Sequence, residues 1–356
     1  MSSSAESIRV GIAGVRGYKG TETARLIARH PRFRIAMVAS DVMAGGRLRD
    51  LDPELSRDGD ALCFGYNDTV SAGADEGVQL MFLATRPSKC DKLAAAFVSH
   101  GVRVVDLSGA HSIRDHDDHV EAYGFVRQET ASAEGAVYGL TELADREAIA
   151  GASLVANPTS YATAVLLALT PLAEAGILDP TSVVVDVKSS SSASGRKAQI
   201  PLLFSELAGN CYATKIDRHP HTPEVLEQLA PVAGPDLRLT MASHIMPVTR
   251  GMLSTCYLRV PGVAETRAAT EQVRLVLRAR YASAPFVTVL DRAEDVTLRA
   301  ARGTNQCLIG AATDPYGDRV VLVSAIDNLL KGAAGQAMQN ANLMFGLDEA
   351  TAIGRQ

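Results

Sequence analysis

The hydrophobic and polar positions of the first 156 residues follow two alternating patterns. Five short apolar or β-branched runs are typical of buried strands, at residues 8–13, 33–39, 78–84, 102–107 and 153–156. Residues 21–30 and 89–100 instead repeat their apolar positions at helical spacing. Strands that alternate with helices predict a parallel sheet with right-handed crossovers.

The pattern becomes less regular from about residue 181. Further strands are predicted with fewer helices between them, at residues 182–188, 237–244, 252–260, 286–290 and 320–325. This predicts an α+β domain on a mostly antiparallel sheet. The alanine-rich residues 328–344 predict one long helix. We therefore expect three parts, at residues 1–156, 157–325 and 326–356.

Composition narrows the classes of function. Hydrophobic residues make up 47% and charged residues 21% of the 356 residues, which is typical of a globular protein. The formal net charge of −5 argues against general binding to nucleic acid or to an anionic membrane, but allows a local basic pocket. No apolar run is long enough to span a bilayer, and no secretory signal begins the sequence. The five scattered cysteines predict reduced thiols in the cytoplasm and no metal site.

A glycine-rich turn follows the first predicted strand. In GIAGVRGYKGTE, Gly11, Gly14 and Gly17 stand three residues apart, before a predicted helix. A phosphate that approaches such a turn needs backbone without Cβ and free N–H groups at the helix start. Tight packing of helix on strand is the alternative, but the strand–helix–strand context favours a dinucleotide.

The end of the second predicted strand bears on the choice of dinucleotide. Ser40 and Asp41 stand where the adenosine ribose is expected. Asp41 favours NAD, whereas Arg16 and Arg47 are near enough in sequence to reach a 2′-phosphate. Asp41 can also serve only as a turn cap, so these residues leave the choice open.

Two further stretches carry candidate chemistry. In LVANPTSYATAVLLAL, Ser160 is expected at a helix N-terminus, where it is a nucleophile, a hydrogen-bond donor or only a cap. In RHPHTPEV, Arg218 stands beside His219 and His221, which combines an anion-binding group with acid–base groups. A surface loop is the alternative for this second stretch. The segment VKSSSSASGRKA is an anion-binding loop or a linker.

Several separate segments resemble the N-acetyl-γ-glutamyl-phosphate reductases, which have the semialdehyde dehydrogenase fold. These segments are YGLTELADREAIAGASLVANPTSYAT, DVKSSSSASGRKA, RHPHTPEV, HIMPVTRGMLST and VVLVSAIDNLLKGAAGQAMQNANLMFGL. The resemblance covers almost the whole chain. It implies an α/β fold in which a Rossmann-type domain precedes an α+β catalytic and dimerisation domain, and the C-terminal helix returns to the first domain.

The resemblance also implies an activity and a set of site residues. It implies a cytoplasmic, NADP-dependent oxidoreductase of arginine biosynthesis, a homodimer or homotetramer that reduces an amino-acid-derived acyl phosphate to a semialdehyde. In this family a thiolate attacks the acyl phosphate, the thioester accepts hydride, and a histidine handles protons. The implied catalytic residues are Ser160, His219 and His221. The implied cofactor-binding residues are Gly11, Gly14, Val15, Arg16, Gly17, Ser40, Ser189 and Asn328. The implied substrate-binding residues are Tyr161, Arg196, Arg218 and Arg250.

The chain departs from the family pattern around the expected pocket. The family's Gly-Cys-Tyr-Pro-Thr reads TSYAT at residues 159–163, and its D-L-S-A-D-F-R reads DLSGAHS at residues 106–112. Because several neighbouring positions change together, we interpret Ser160 as native and the pocket as reshaped. An alcohol is far less ionised than a thiol at neutral pH, and an oxyester accepts hydride less readily than a thioester.

Three functions follow from these departures. The favoured one is an NADP(H)-dependent oxidoreductase that either keeps the acyl-phosphate or semialdehyde chemistry at a reduced rate or transfers hydride directly to an amino-acid-derived carbonyl or imine. The second is a non-catalytic relative that binds the cofactor. The third is a hydrolase that uses Ser160 and His219, although no G-x-S-x-G motif surrounds this serine.

Overall fold

The protein is described here by a computed structural model over residues 7–128, 135–263 and 265–354. The chain divides into two compact units. The first unit comprises Met1–Pro158 and Ala333–Gln356, and the second unit comprises Thr159–Gly332. The divisions thus fall after Pro158 and after Gly332, where the sequence predicted divisions after residues 156 and 325.

The first unit is built on a seven-stranded parallel sheet with the strand order β3-β2-β1-β4-β5-β7-β6. The strands are β1 (Ile8–Ala13), β2 (Phe33–Ala39), β3 (Leu62–Phe64), β4 (Leu80–Leu83), β5 (Arg103–Asp106), β6 (Val137–Tyr138) and β7 (Leu154–Ala156). The predicted parallel sheet is confirmed. The strand order changes direction between β1 and β4, where the carboxyl ends of parallel strands open a ligand crevice.

Helices connect these strands. They are α1 (Tyr18–Arg29), α2 (Thr69–Asp75), α3 (Pro87–Ser99), α4 (His116–Tyr123) and α5 (Arg146–Gly151). In α3, the apolar positions Leu93, Ala94 and Phe97 lie in one buried cluster with the sheet residues Met37 and Met81. This one-sided burial is what the helical spacing of that segment predicts.

The second unit contains a mixed seven-stranded sheet with the order β12-β13-β14-β11-β8-β10-β9. Its strands are β8 (Val183–Ser190), β9 (Tyr212–Thr214), β10 (Leu239–Met246), β11 (Met252–Leu258), β12 (Val287–Val289), β13 (Cys307–Thr313) and β14 (Val320–Ile326). Most neighbours pair antiparallel, as predicted, while β8 with β10 and β12 with β13 are parallel. Strand β13 was not predicted.

Helix α6 lies at the centre of the second unit. The helices here are α6 (Ser160–Glu174), α7 (Phe204–Leu207), α8 (Thr222–Ala233), α9 (Thr266–Tyr281) and α10 (Leu298–Ala301). The α6 side chains are buried almost all round. Two carbonyl groups of α6 accept hydrogen bonds from outside it, from the Ser324 hydroxyl at 2.8 Å and the Tyr281 hydroxyl at 2.6 Å. The first half of α6 is therefore held by side chains from elsewhere in the second unit.

The C-terminal segment differs from the predicted single helix. A π-helix at Leu330–Ala334 precedes α11 (Gly335–Met344), so the prediction of one regular helix over residues 328–344 is wrong at its start. The N–H of Gly332 donates to the Asp327 carbonyl at 3.0 Å, five residues earlier. A Cβ at Gly332 would lie 2.6 Å from the Cβ of Ser160. The wider turn thus brings bare backbone against the start of α6.

Helix α11 belongs to the first unit and fastens to it through buried amides. The side chains of Gln336 and Asn340 both donate to the Gly139 carbonyl, at 3.0 and 2.8 Å. Asn342 Oδ1 accepts a hydrogen bond from Nε2 of the His30 ring at 2.9 Å. None of the helices in the described residues is long and apolar enough to cross a membrane.

Candidate active site

The glycine turn connects β1 to α1 in the first unit. Gly14 has a φ of +91°, and a Cβ there would lie 2.6 Å from the Ala84 carbonyl. Gly17 is the N-cap of α1; it offers no side-chain cap, and no acidic residue stands in the first helical turn. The N–H groups of that turn are therefore suited to an anion, as a bound pyrophosphate requires. Val15 is buried and Arg16 half-buried in this turn.

Gly11 has a different position from the other two glycines. It lies inside β1, where a Cβ would come 2.5 Å from the Met81 sulfur. Its lack of a side chain therefore serves packing between neighbouring strands. Gly20, in α1, is the additional glycine that the sequence analysis passed over, because a Cβ there would collide with the Gly14 carbonyl.

We expect Gly14→Ala to disrupt the glycine turn. The added methyl group meets backbone, and the positive φ is unfavourable for alanine, so the turn must move. The dissociation constant for NADPH, measured by nucleotide fluorescence, should rise at least about tenfold. Gly101→Ala is the matched control, because this glycine also has a positive φ but no atom within 4 Å of the added group. An unchanged constant for Gly14→Ala would contradict this role.

The end of β2 places Ser40 and Asp41 side by side. Ser40 is buried, and its N–H donates to the Phe64 carbonyl. Asp41 accepts from the Tyr66 N–H at 2.9 Å and from the Lys89 ammonium at 3.1 Å. The backbone hydrogen bond from Tyr66, with the Lys89 contact, lowers the pKa of Asp41. The Arg47 guanidinium donates a hydrogen bond to the Asp60 carbonyl at 2.7 Å.

In the second unit, Ser160 is the first residue of α6. Its neighbour Thr159 is the N-cap, whose hydroxyl accepts weakly from the Ala162 N–H at 3.4 Å. Ser160 is half-buried, and its hydroxyl makes no hydrogen bond within the described parts of the chain. The capping role weighed for Ser160 is thus filled by Thr159. A hydroxyl at the first position of a long buried helix is available to a ligand.

Tyr161, His219 and His221 form an aromatic cluster beside this helix start. The Tyr161 ring centroid lies 4.3 Å from that of His219 and 5.4 Å from that of His221. Burial raises the pKa of the Tyr161 hydroxyl, although the Ser189 and Ser243 hydroxyls oppose this effect. Sequence positions 160, 161, 189, 219 and 221 are therefore gathered in one region of the second unit.

The hydrogen bonds of His219 define its tautomer. Its Nδ1 accepts from the His221 N–H at 3.3 Å, so the neutral ring carries its proton on Nε2. Nε2 is buried and has no hydrogen-bond partner among the described residues. Burial, with the nearby Lys215 charge, lowers the pKa of His219 to about 4. At neutral pH His219 is thus an uncharged N–H donor without an acceptor.

We expect acid to destabilise the protein between pH 6.5 and pH 4. Burial lowers the pKa of His30, His119 and His219 from 6.5 to about 4. As the pH falls, the unfolded chain takes up these protons from pH 6.5, whereas the folded chain does so only near pH 4. Each histidine then costs about 2 kcal/mol of unfolding free energy at pH 5. Urea titrations at pH 7.5 and 5 should show this loss, and equal midpoints would contradict it.

Asn328 and Arg250 occupy the end of β14 in the second unit. The Asn328 amide accepts from the Gly251 N–H at 2.8 Å and from the Ser190 hydroxyl at 3.1 Å. Arg250 contacts the buried carboxylate of Asp327 at 3.1 Å, which also accepts from the Gly303 N–H. The Asp327 charge holds this guanidinium in place, so Arg250 presents an oriented cation.

The two other predicted substrate residues have a different setting. Arg196 and Arg218 are exposed side chains on loops of the second unit. The described residues contain no group of three or more metal-ligating side chains.

Residues 106–112, which depart from the family pattern, form a buried cluster of hydrogen-bonded polar side chains at the end of β5 in the first unit. Asp106 accepts from the Ser108 hydroxyl at 2.6 Å and lies 2.7 Å from the His111 ring. Burial opposes ionisation of Asp106, but the hydrogen bond and charge of His111 outweigh it, and its pKa is lowered. The histidine therefore serves the fold of this segment.

Comparison with known proteins defines the class. Residues 9–152 match the family model described as "Semialdehyde dehydrogenase, NAD binding domain", and residues 160–328 match "Semialdehyde dehydrogenase, dimerisation domain". The protein thus has the domain pair of a semialdehyde dehydrogenase, which confirms the expected fold. Within that class, the chain belongs to the N-acetyl-γ-glutamyl-phosphate reductase family, as the resemblance indicated.

Two curated members of this family illustrate the likeness. The N-acetyl-gamma-glutamyl-phosphate reductase of Halorhodospira halophila is 41% identical over 97% of this chain and 98% of its own length. That of Ectopseudomonas mendocina is 39% identical over 96% of both chains. Among solved structures, aspartate semialdehyde dehydrogenase II of Vibrio cholerae covers 96% of this chain and 99% of its own, with a TM-score of 0.70. At 18% identity this last likeness concerns the fold alone.

Proposed function

We propose that this protein is an NADP(H)-dependent oxidoreductase that reduces an N-acetylglutamate-derived or related amino-acid-derived carbonyl group by direct hydride transfer. One observation carries the proposal: Ser160, whose hydroxyl makes no hydrogen bond among the described residues, directly precedes Tyr161, which packs against His219, and the buried Nε2 of His219 also has no partner among the described residues. When bound, NADPH supplies the hydride. The chain supplies hydrogen-bond donors for the oxygen on which negative charge develops.

The state of His219 argues against a covalent serine mechanism. To attack a carbonyl, the Ser160 hydroxyl needs a base that removes its proton. The free lone pair of a neutral imidazole is on Nδ1, and in His219 this atom already accepts from the His221 N–H. Ser160 and His219 make no hydrogen bond with each other. Both groups are arranged to donate, which also disfavours the hydrolase.

The end of β2 supports NADP as the dinucleotide. A free carboxylate there would repel a 2′-phosphate, but Asp41 is engaged with Lys89 and the Tyr66 N–H. Ser40 adds a small polar side chain without charge. A relative structure from Candida albicans, an aspartate semialdehyde dehydrogenase, was solved with NADP. We assign the phosphate-binding role to the glycine turn at Gly14 and Gly17.

The assembly is proposed to be a homodimer or homotetramer. The match of residues 160–328 to a dimerisation domain supports association through the second unit. Light scattering on the purified protein should give two or four times the 37.6 kDa chain mass.

The proposed activity is tested by NADPH oxidation at 340 nm. The purified protein is mixed with N-acetylglutamyl phosphate, and separately with N-acetylglutamate semialdehyde, each with NADPH and with NADH. Turnover that prefers NADPH and falls in Ser160→Ala supports the proposal. Tight NADPH binding without turnover of either compound would replace it by the non-catalytic cofactor-binding function. Ester hydrolysis that needs no nucleotide would replace it by the hydrolase.

A further inference from the structure

Glu224 is a fully buried carboxylate of the second unit that the proposed reaction does not use. It is the third residue of α8, in a turn whose N-cap is His221. Both of its oxygens bind one residue: Oε1 accepts from the Thr159 N–H at 2.9 Å, and Oε2 accepts from the Thr159 hydroxyl at 2.7 Å. Glu224, in the first turn of α8, therefore holds the N-cap residue of α6 through two hydrogen bonds.

We infer that Glu224 is a positioning residue that fixes Ser160 relative to His219 and His221. This inference rests on the proposed function, which places these three residues at the chemistry. Ser160 follows Thr159 directly in the chain. The hydrogen bonds from Thr159 to Glu224 therefore fix the backbone position from which the Ser160 side chain extends. On the other side, His221 Nδ1 lies 3.9 Å from Oε2 of Glu224, and the His221 N–H in turn holds His219.

The contacts explain why this residue is charged. A carboxylate in the first turn of a helix is stabilised by the helix dipole, and hydrogen bonds to a charged acceptor are stronger than neutral ones. Alanine at position 224 would leave the N–H and hydroxyl of Thr159 buried without an acceptor. Glutamine keeps an acceptor for the N–H and can donate to the Thr159 oxygen. Both replacements are uncharged, so they differ in the hydrogen bonds to Thr159 and in side-chain volume but not in charge.

The test uses Glu224→Ala and Glu224→Gln as a matched pair. A thiol probe is introduced by Ser160→Cys, together with Cys211→Ser, because Cys211 is exposed while Cys63, Cys90, Cys256 and Cys307 are buried. The rate of alkylation by iodoacetamide is measured against pH and gives the apparent pKa of the introduced thiol. A separate set with Ser160 intact gives kcat and KM for NADPH-dependent turnover.

We expect the introduced thiol to have an apparent pKa about half a unit higher in Glu224→Ala than in Glu224→Gln, because a loosened first turn stabilises the thiolate less. We also expect kcat to fall about tenfold further in Glu224→Ala, with a smaller change in KM. A purely structural role would lower the melting temperature without moving either quantity at a temperature where both variants are folded.

Equal thiol pKa and equal kcat in the two variants would overturn the inference. If Glu224→Ala does not fold, Thr159→Val and Thr159→Ser give the same comparison, because only serine keeps the hydroxyl. If no variant turns over any substrate but the thiol pKa values differ as expected, the proposed function fails and the positioning role stands. If turnover is as proposed, but the thiol pKa and kcat are the same within each pair of variants, the proposed function stands and the positioning role fails.

Discussion

Replacing Ser160 with cysteine is expected to increase the rate of N-acetylglutamyl phosphate reduction at least about a hundredfold. A thiol is partly ionised near neutral pH, and the N-terminus of α6 stabilises its thiolate further. It therefore needs no help from His219, which donates rather than accepts at Nε2. The thioester formed is a better hydride acceptor than the carbonyl of an oxyester. The rise is read as kcat from NADPH oxidation, together with a new sensitivity to iodoacetamide.

Ser160→Ala tests the contribution of the hydroxyl to turnover apart from that of the backbone at the start of α6. If Ser160 donates a hydrogen bond to the reacting carbonyl, alanine should lower kcat by about ten- to a hundredfold in native turnover. A protein in which Ser160→Ala matches the native rate, and Ser160→Cys adds nothing, would show that position 160 lies outside the chemistry.

His219→Ala is expected to lower kcat by about 10²–10³-fold, the usual effect of losing one donor to a developing oxyanion. His219→Gln should retain more activity, because its amide still offers an N–H. The pH profile distinguishes a donor from a titrating base. Since the pKa of His219 is lowered to about 4, and Nε2 keeps its hydrogen when the ring is protonated, kcat/KM should stay level from pH 8 to about 5, with no acidic limb that depends on His219.

A different profile would contradict the donor role. If kcat/KM falls with an apparent pKa near 6.5, and this limb disappears in His219→Gln, then His219 titrates as a base during turnover. Global unfolding in acid is excluded by recording circular dichroism at each pH.

The sequence predicted the first unit well because its signals are local. The run 8–13 and the run 33–39 match β1 and β2 at both ends, since Gly14 and Pro31 interrupt the chain beside them. Strand β13 escaped prediction because CLIGAAT is apolar and small throughout, without the alternation of a half-buried strand. The π-helix was not predicted, and it lies where Gly332 packs closely against Ser160, a residue far away in sequence.

In the candidate site, too, the residues with local sequence signals were predicted, and those defined by contacts distant in sequence were missed. Ser160 was expected at a helix start, because Asn157-Pro158 ends one apolar run and small polar residues precede the next. The residues of RHPHTPEV drew attention to His219 and His221, and the family resemblance supplied their catalytic role. Glu224 and Asp327 were missed, although the first stands inside RHPHTPEV, because their partners Thr159 and Arg250 are distant in sequence. Buried carboxylates are recognised by their partners, and a sequence does not show those.

The return of the chain to the first unit has a consequence for synthesis. The Gly139 carbonyl accepts from Gln336 and Asn340, and Nε2 of His30 contacts Asn342, residues that are made nearly two hundred positions or more later. On the ribosome, the parallel sheet therefore emerges first but stays without helix α11 until residues 335–344 have emerged, by which point the whole of Thr159–Gly332 has been synthesised. The first unit is thus completed after the second, and a nascent chain should acquire affinity for NADPH only once helix α11 has emerged from the ribosome.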